Sequence, residues 1–237
     1  EWFEEWFGEE YLALYPHRDE DDAVALVTLL HGLLGWGPGW RVLDICCGPG
    51  RHAQALDAAG LAVVGLDLSS ALLRRAREVT SAPLVRADIR ALPVRGGSMD
   101  AGLNLFTSFG YFDSDDEHVA ALTGMVATVR RGGWFVLDFL NAALVRARIP
   151  EGADAVEHGA DGSRVRRYVT PGGSHVVKEI RLRDGRRFQE RVRLFSAHEL
   201  EVMLAGAGAR VRHRFGDYEG GAPHAGAPRT LLLAEVS

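Results

Sequence analysis

Cysteine is almost missing from this chain of 237 residues: two occur, and they are neighbours, Cys46 and Cys47. Adjacent thiols cannot staple distant segments, and two thiols alone do not make a zinc site. A disulfide framework is therefore excluded, no metal is expected, and a reducing cytoplasm is the natural setting. Lysine is scarcer still, with Lys178 alone, and G-x-x-x-x-G-K is absent, which removes nucleotide hydrolysis of the phosphate-loop kind. No apolar run approaches the ~18 residues that a membrane span needs. Positive charge is not in excess: the net charge is −5 and the pI about 6.0, whereas a dedicated nucleic-acid binder is usually basic. The start Glu1-Trp2-Phe3-Glu4-Glu5-Trp6-Phe7 is acidic and aromatic, the wrong chemistry for a signal or transit peptide.

What is present alternates. Ala23 to Leu34 repeats apolar residues at helical spacing after the acidic Asp19-Glu20-Asp21-Asp22. Arg41 to Ile45 reads as a buried strand, Arg51 to Ala59 as a helix ended by Gly60, and Leu61 to Leu66 as a second strand. Ser69-Ser70 can cap a helix running through Glu78. Pro83 to Ala87 and Ala101 to Phe106 read as further strands, Asp115 to Val129 as a helix, and Arg131-Gly132-Gly133 as a turn into a fifth strand, Trp134 to Leu140. Strands and helices alternating at this pace predict βαβ units and a parallel sheet in one domain.

From Ala142 to Phe195 the pattern changes to Arg, Gly and β-branched residues without a good helix. Val176, Ile180, Leu182, Phe188, Val192 and Leu194 fall on one face if Arg183-Asp184-Gly185 is a three-residue loop that sets Leu182 opposite Arg186. An inserted antiparallel hairpin is expected over residues 142–195. Its other face carries Arg181, Arg183, Arg187, Arg191 and Arg193, read as a solvated face, as a rim for an anionic substrate, or as a dimer contact. Ser196-Ala197-His198-Glu199 is a capping box, and two last strands close the chain around the loop Gly216 to Arg229.

The chemistry concentrates at Val42-Leu43-Asp44-Ile45-Cys46-Cys47-Gly48-Pro49-Gly50, a strand ending in an acid that runs into a glycine turn and a helix. Gly48-Pro49-Gly50-Arg51-His52-Ala53 fits G-x-G-x-x-G/A, and Asp67 follows Gly50 by 17 positions, near where a ribose-binding acid is expected. That fingerprint alone permits NAD. Asp44, four residues before Gly48, would repel a pyrophosphate and attract the sulfonium and ammonium of S-adenosylmethionine (SAM). Asp88 can accept from an adenine amine. Asp44, Asp67 and Asp88 thus end three successive strands, at the edge where open α/β sheets bind ligands.

V-L-D-I-C-C-G-P-G, V-V-G-L-D-L-S, A-D-I, and the R-G-G turn into W-F-V-L-D-F resemble the class I SAM-dependent methyltransferases, from about Asp19 to the C-terminus. The resemblance implies a Rossmann-like sheet of seven strands, mostly parallel with an antiparallel last strand, in a single domain with residues 1–35 as a helical cover. It implies that Asp67 holds the ribose hydroxyls and Asp88 the adenine amine, with Leu68 and Ile89 around the adenine. Gly48 and Gly50 would admit the methionyl part, with Asn104 and Leu105 beneath the cofactor. Cys46 replaces the motif's usual first glycine. Its functional alternative, a redox or nucleophilic thiol, stands beside the reading as a small buried hydrophobe. An Arg or Tyr of the N-terminal segment, Tyr15 or Arg18 among Tyr11, Tyr15, His17 and Arg18, would take the cofactor carboxylate.

Thr107, Ser108 and Tyr111, with Asn141, Tyr218 and Arg229, are candidates for binding a small-molecule acceptor; Asp138 is a further one. Tyr111, Tyr218 and His52 are the candidate catalytic groups, although His52, in the first turn of its helix, reads first as a structural residue near the cofactor. The reaction so implied is in-line displacement of the methyl group onto an N or O nucleophile of a small molecule. An NAD(P)-linked oxidoreductase and a SAM-binding protein without transfer activity are the alternatives. No membrane or nucleic-acid partner is expected; a homodimer is compatible with the sequence.

Overall fold

The computed structural model describes residues 1–15, 20–159 and 162–237. Two short helices, α1 (Trp2–Trp6) and α2 (Glu9–Leu14), precede α3 (Glu20–Leu34). Then follow β1 (Arg41–Ile45), α4 (Arg51–Ala58), β2 (Ala62–Asp67), α5 (Ser70–Ala76), β3 (Leu84–Arg86), β4 (Met99–Asn104), α6 (Asp115–Ala127) and β5 (Val129–Leu140). After α7 (Ala142–Arg148) come β6 (Asp154–His158), β7 (Arg164–Val169), β8 (His175–Arg181) and β9 (Arg187–Arg193). α8 (Ala197–Gly206), β10 (Ala209–Phe215) and β11 (Arg229–Val236) end the chain. Among the described residues no helix is long and apolar enough to cross a membrane.

Among those residues the main sheet has seven strands in the order β10-β11-β5-β4-β1-β2-β3. β1 pairs parallel with both β2 and β4, so the strand order reverses beside it, while β11 runs antiparallel to β5 and β10. Val42, Leu43 and Ile45 are fully buried because helices cover both faces of this strand. One layer packs Leu26, Leu30 and Leu56 on the sheet; the other packs Leu122, Met125, Leu200 and Leu204. The Arg131-Gly132-Gly133 turn is a bulge inside β5, where the register with β4 shifts. Gly133 is required there, since a Cβ would lie 2.6 Å from the Asp100 carbonyl oxygen.

The expected hairpin is half of a second sheet, ordered β6-β7-β8-β9. Its three-residue loop is as read: Leu182 N donates to Arg186 O at 2.9 Å, and Gly185 has φ +91°. The other two strands escaped the sequence reading because β6 is exposed along nearly its whole length and β7 buries Val165 and Val169 alone, so neither alternates cleanly. α7 corrects the expectation of no helix in this stretch: Asn141 Oδ1 caps it by accepting from Ala143 N at 3.1 Å, and only Ala142 of its seven residues is buried, too few to set a helical period. The arginine face is not simply solvated. Arg191 pairs with Asp113 at 3.0 Å and Arg193 with Asp115 at 3.1 Å, which ties the second sheet to the start of α6.

The opposite face of this sheet holds the N-terminal helices down. Trp6 is fully buried against Phe188, Val165 and Ile180, with its ring 4.8 Å from that of Phe188. Its indole N–H donates to Glu190 at 2.6 Å. α1 and α2 are therefore clamped between the second sheet and the C-terminal edge of the first.

Candidate functional site

The turn after β1 is built from left-handed residues, Cys46 at φ +62°, Gly48 at +55° and Gly50 at +90°. A non-glycine residue in that region costs about 1–2 kcal/mol, so Cys46 is strained where its motif usually has glycine. Gly50 is fixed by packing: a Cβ on it would lie 2.9 Å from that of Ala76. A Cβ on Gly48 would meet nothing within 4 Å, so this edge of the turn faces open space. Gly48 N donates to Asp67 Oδ2 at 2.9 Å and Ser69 N to Asp67 Oδ1 at 2.8 Å. A carboxylate accepts about four hydrogen bonds, so Asp67 keeps acceptor capacity after the backbone N–H groups of Gly48, Ser69 and Leu68 are counted.

These groups border a cavity of about 410 Å³ across the ends of β1, β2 and β4. Cys46, Gly48, Asp67, Leu68, Asp88 and Ile89 line one side, Leu105, Ser108, Tyr111 and His52 another. Phe3, Phe7 and Tyr11 of the N-terminal segment roof it. Asp88 is bound by Arg90 at 2.6 Å, and that guanidinium holds its carboxyl below the usual range.

A second cavity of about 450 Å³ lies beside the first, and Phe7, Tyr11, Phe106 and Tyr111 wall both. Its far side is Arg167, Lys178 and Glu190 of the second sheet with Thr107 and Arg229. Phe106 and Thr107 are both left-handed, at φ +56° and +62°. Asp138 holds them there: its Oδ2 accepts from Phe106 N at 2.8 Å, and its backbone oxygen from Thr107 N at 3.0 Å. Arg229 closes the network, donating to Asp138 Oδ1 at 2.8 Å and Thr107 Oγ1 at 3.0 Å. The Phe106 ring lies 4.0 Å from the Arg51 guanidinium and 5.3 Å from that of Arg229.

Several sequence candidates lie elsewhere. Tyr218 is buried with its hydroxyl donated to Asp138 at 2.7 Å and borders neither cavity. Asn141 caps α7 and donates to the carbonyls of His224 and Ala227, so it anchors the last loop rather than facing a ligand. Tyr15 meets Lys178 and packs with Tyr11, away from the first cavity. Arg18 and His17 fall outside the described residues. Asp44 and Asn104 are buried beneath the turn, and Gly50 packs against α5, so none of the three lines the cavity. Tyr111 is on the wall, its hydroxyl donated to Thr107 O at 2.5 Å. Lys178 and Glu190 were missed as site residues although they break the apolar parity of their strands, a signal that was legible between Val176 and Ile180.

The floor is electrostatically tense. Asp44 Oδ2, His52 Nε2 and Asn104 Oδ1 are buried without a hydrogen-bond partner among the described residues. Burial, with Asp67 nearby, pushes Asp44 up to about 7; burial pushes His52 down to about 3, so its ring is neutral. Burial also raises both cysteine thiols, which keeps them protonated and weakly nucleophilic. Because the folded-state value of Asp44 lies above its unfolded value of 3.8, the folded protein holds a proton that the unfolded chain has lost. Its contribution is present below about pH 4 and is lost as pH rises through about 7. Asp44→Asn is expected to stabilise the protein at pH 8, by about 1–4 kcal/mol at ~1.4 kcal/mol per unit, and by less than half as much at pH 5, because the difference builds up between about pH 4 and about 7. Thermal melts at the two pH values check this; equal shifts at both would contradict it.

A family model for a methyltransferase domain matches residues 42–133. The chain is 38% identical over 104 residues to the demethylmenaquinone methyltransferase of Mycobacterium sp. (strain KMS), covering 44% of this chain and 43% of that protein. It is 29% identical over 140 residues to the ubiquinone biosynthesis O-methyltransferase of Bordetella avium (strain 197N), covering 53% and 58%. The chain thus spans about half the length of the curated relatives it matches. A crystal structure of an S-adenosylmethionine-dependent methyltransferase from Clostridium acetobutylicum ATCC 824 superposes with a TM-score of 0.81 at 16% identity, over 96% of this chain and 98% of that one.

Proposed function

We propose that the chain, which shares the fold of a SAM-dependent methyltransferase and matches a methyltransferase-domain model over residues 42–133, transfers a methyl group from SAM to a small-molecule acceptor. The observation that carries this is Asp67, which aligns Gly48 and Ser69 through two amides and still presents acceptor capacity to the cavity. A vicinal ribose diol matches that capacity. In this reading Asp67 holds the ribose hydroxyls and Asp88 the adenine amine, Leu68 and Ile89 pack on the adenine, and Gly48 admits the methionyl part. The second cavity takes the acceptor. The two free thiols fit a cytoplasmic setting.

When bound, SAM supplies an electrophilic methyl on a sulfonium. The protein's own task is alignment and water exclusion, which in favourable systems is worth up to ~7–11 kcal/mol. Phe3, Phe7 and Tyr11 roof the cofactor cavity, and the Asp138 network fixes Phe106 and Thr107 at the wall the two cavities share. Neither tyrosine candidate serves as a base, since both hydroxyls are donated within the fold. His52 is neutral and borders the cofactor cavity, not the acceptor one, which makes it a structural residue of the turn. The acceptor therefore brings its own nucleophilic lone pair. Calorimetric titration with S-adenosylhomocysteine tests the reading, and saturable one-to-one binding is the expected result.

A further inference from the structure

We propose that the acceptor is an anion: an aromatic small molecule whose carboxylate is received by Arg167 and Arg229 in the second cavity. The inference rests on the reading of that cavity as the acceptor site. Its walls carry three cations, Arg167, Lys178 and Arg229, against one carboxylate, Glu190, among the described residues. Lys178 and Glu190 cancel one another, 3.1 Å apart, and the same Glu190 oxygen takes the Trp6 indole N–H. The acids that pair with the two arginines do not face the cavity. Asp138 is fully buried behind Arg229 and engaged by Phe106 N, Tyr218 and Arg229 itself. Glu157, partner of Arg167, is on the outer strand with its side chain 64% exposed, where water screens it. The wall therefore presents two guanidinium forks to the cavity, with their own acids set behind or outside it. Guanidinium forks suit a carboxylate better than a point charge does.

The body of the acceptor follows from the other walls. Phe7, Tyr11, Phe106 and Tyr111 present rings, and Leu140, Val176 and Val192 add apolar surface. A volume of about 450 Å³ admits one small planar molecule. Rings on a planar aromatic gain from stacked or edge contacts. The arginines of the outer face of the second sheet, Arg181, Arg183, Arg187, Arg191 and Arg193, do not line this cavity.

The test is titration of the protein saturated with S-adenosylhomocysteine by three probes of one shape: para-hydroxybenzoate, its methyl ester, and para-hydroxybenzylamine. The carboxylate is expected to bind at least ~10-fold tighter than the ester, the value of one charge-assisted hydrogen bond, and the amine weakest. Arg167→Gln, a partly exposed position whose loss leaves no buried charge, should reduce the gap between acid and ester to less than about threefold. Arg187→Gln on the outer face should leave the gap intact. Equal or tighter binding of the ester or amine, binding of none of the three, or a gap that survives Arg167→Gln overturns the inference. The saturation step separates the two levels: if S-adenosylhomocysteine binds and the probes behave in one of those ways, the anion preference alone fails. If it does not bind, the methyltransferase reading fails and this inference falls with it.

Discussion

Asp67→Ala is expected to weaken S-adenosylhomocysteine binding at least ~100-fold while the protein stays folded. Asp67 is 8% exposed, sits at the end of β2 and already accepts from Gly48 N and Ser69 N. Two ribose hydroxyls donated to this carboxylate would make charge-assisted bonds of about 1.5–3 kcal/mol each, or about 3–6 kcal/mol together, which is ~10²–10⁴ in affinity. The variant also strands two amide N–H groups at the cavity edge, so the glycine turn loses its alignment as well as its ligand contact. Against that, a carboxyl whose ionisation burial disfavours has been removed, so stability falls by less than the two lost bonds suggest. Calorimetry with a thermal melt of the same sample measures both quantities; affinity within threefold of the parent would contradict the ribose assignment.

Arg229→Met is expected to destabilise the fold by about 3–5 kcal/mol, because it leaves the buried Asp138 carboxylate without its cation. For a chain of this size that is roughly a 6–20 °C loss in Tm. The arginine has no easy substitute: its side chain is 16% exposed and bridges Asp138 to Thr107. Phe106 and Thr107 are both left-handed, at about 1–2 kcal/mol each, and the same carboxylate holds Phe106 N. A protein that keeps two strained residues in place with a buried ion pair loses both stability and wall geometry when the pair is broken. Lowered acceptor binding at temperatures where the variant is still folded is the second readout. A Tm within 2 °C of the parent would show that Asp138 is satisfied by its other donors.

The parallel half of the fold was legible because its strands end in recognisable chemistry. β1 runs as Val42-Leu43-Asp44-Ile45 into a glycine turn, and Asp67, Leu68, Asp88 and Ile89 all reach the wall of one cavity. The register of β8 against β9 was also legible, since apolar parity and Gly185 together allow one loop length. β6 and β7 were not, because their side chains pair laterally, as Arg166 does with Asp154 and Glu179, and leave no buried stripe to read. Tyr218 and Asn141 drew attention as polar groups in a loop, but polar residue type does not reveal whether the partner is a ligand or the fold. Here Asp138 and the carbonyls of the last loop take them. Asp44 misled in a similar way: an acid at a strand end reads as facing the ligand, and side-chain alternation turned it beneath the turn instead.

A calorimetric titration of the parent protein with SAM, S-adenosylhomocysteine and NAD in parallel decides which cofactor the glycine turn serves. Saturable binding of the first two at a stoichiometry of about one is expected, with no heat from NAD, whose pyrophosphate would lie in a cavity lined by the Asp67 and Asp88 carboxylates. Binding of NAD with no response to either sulfur nucleoside would contradict it and assign the glycine turn to a dinucleotide.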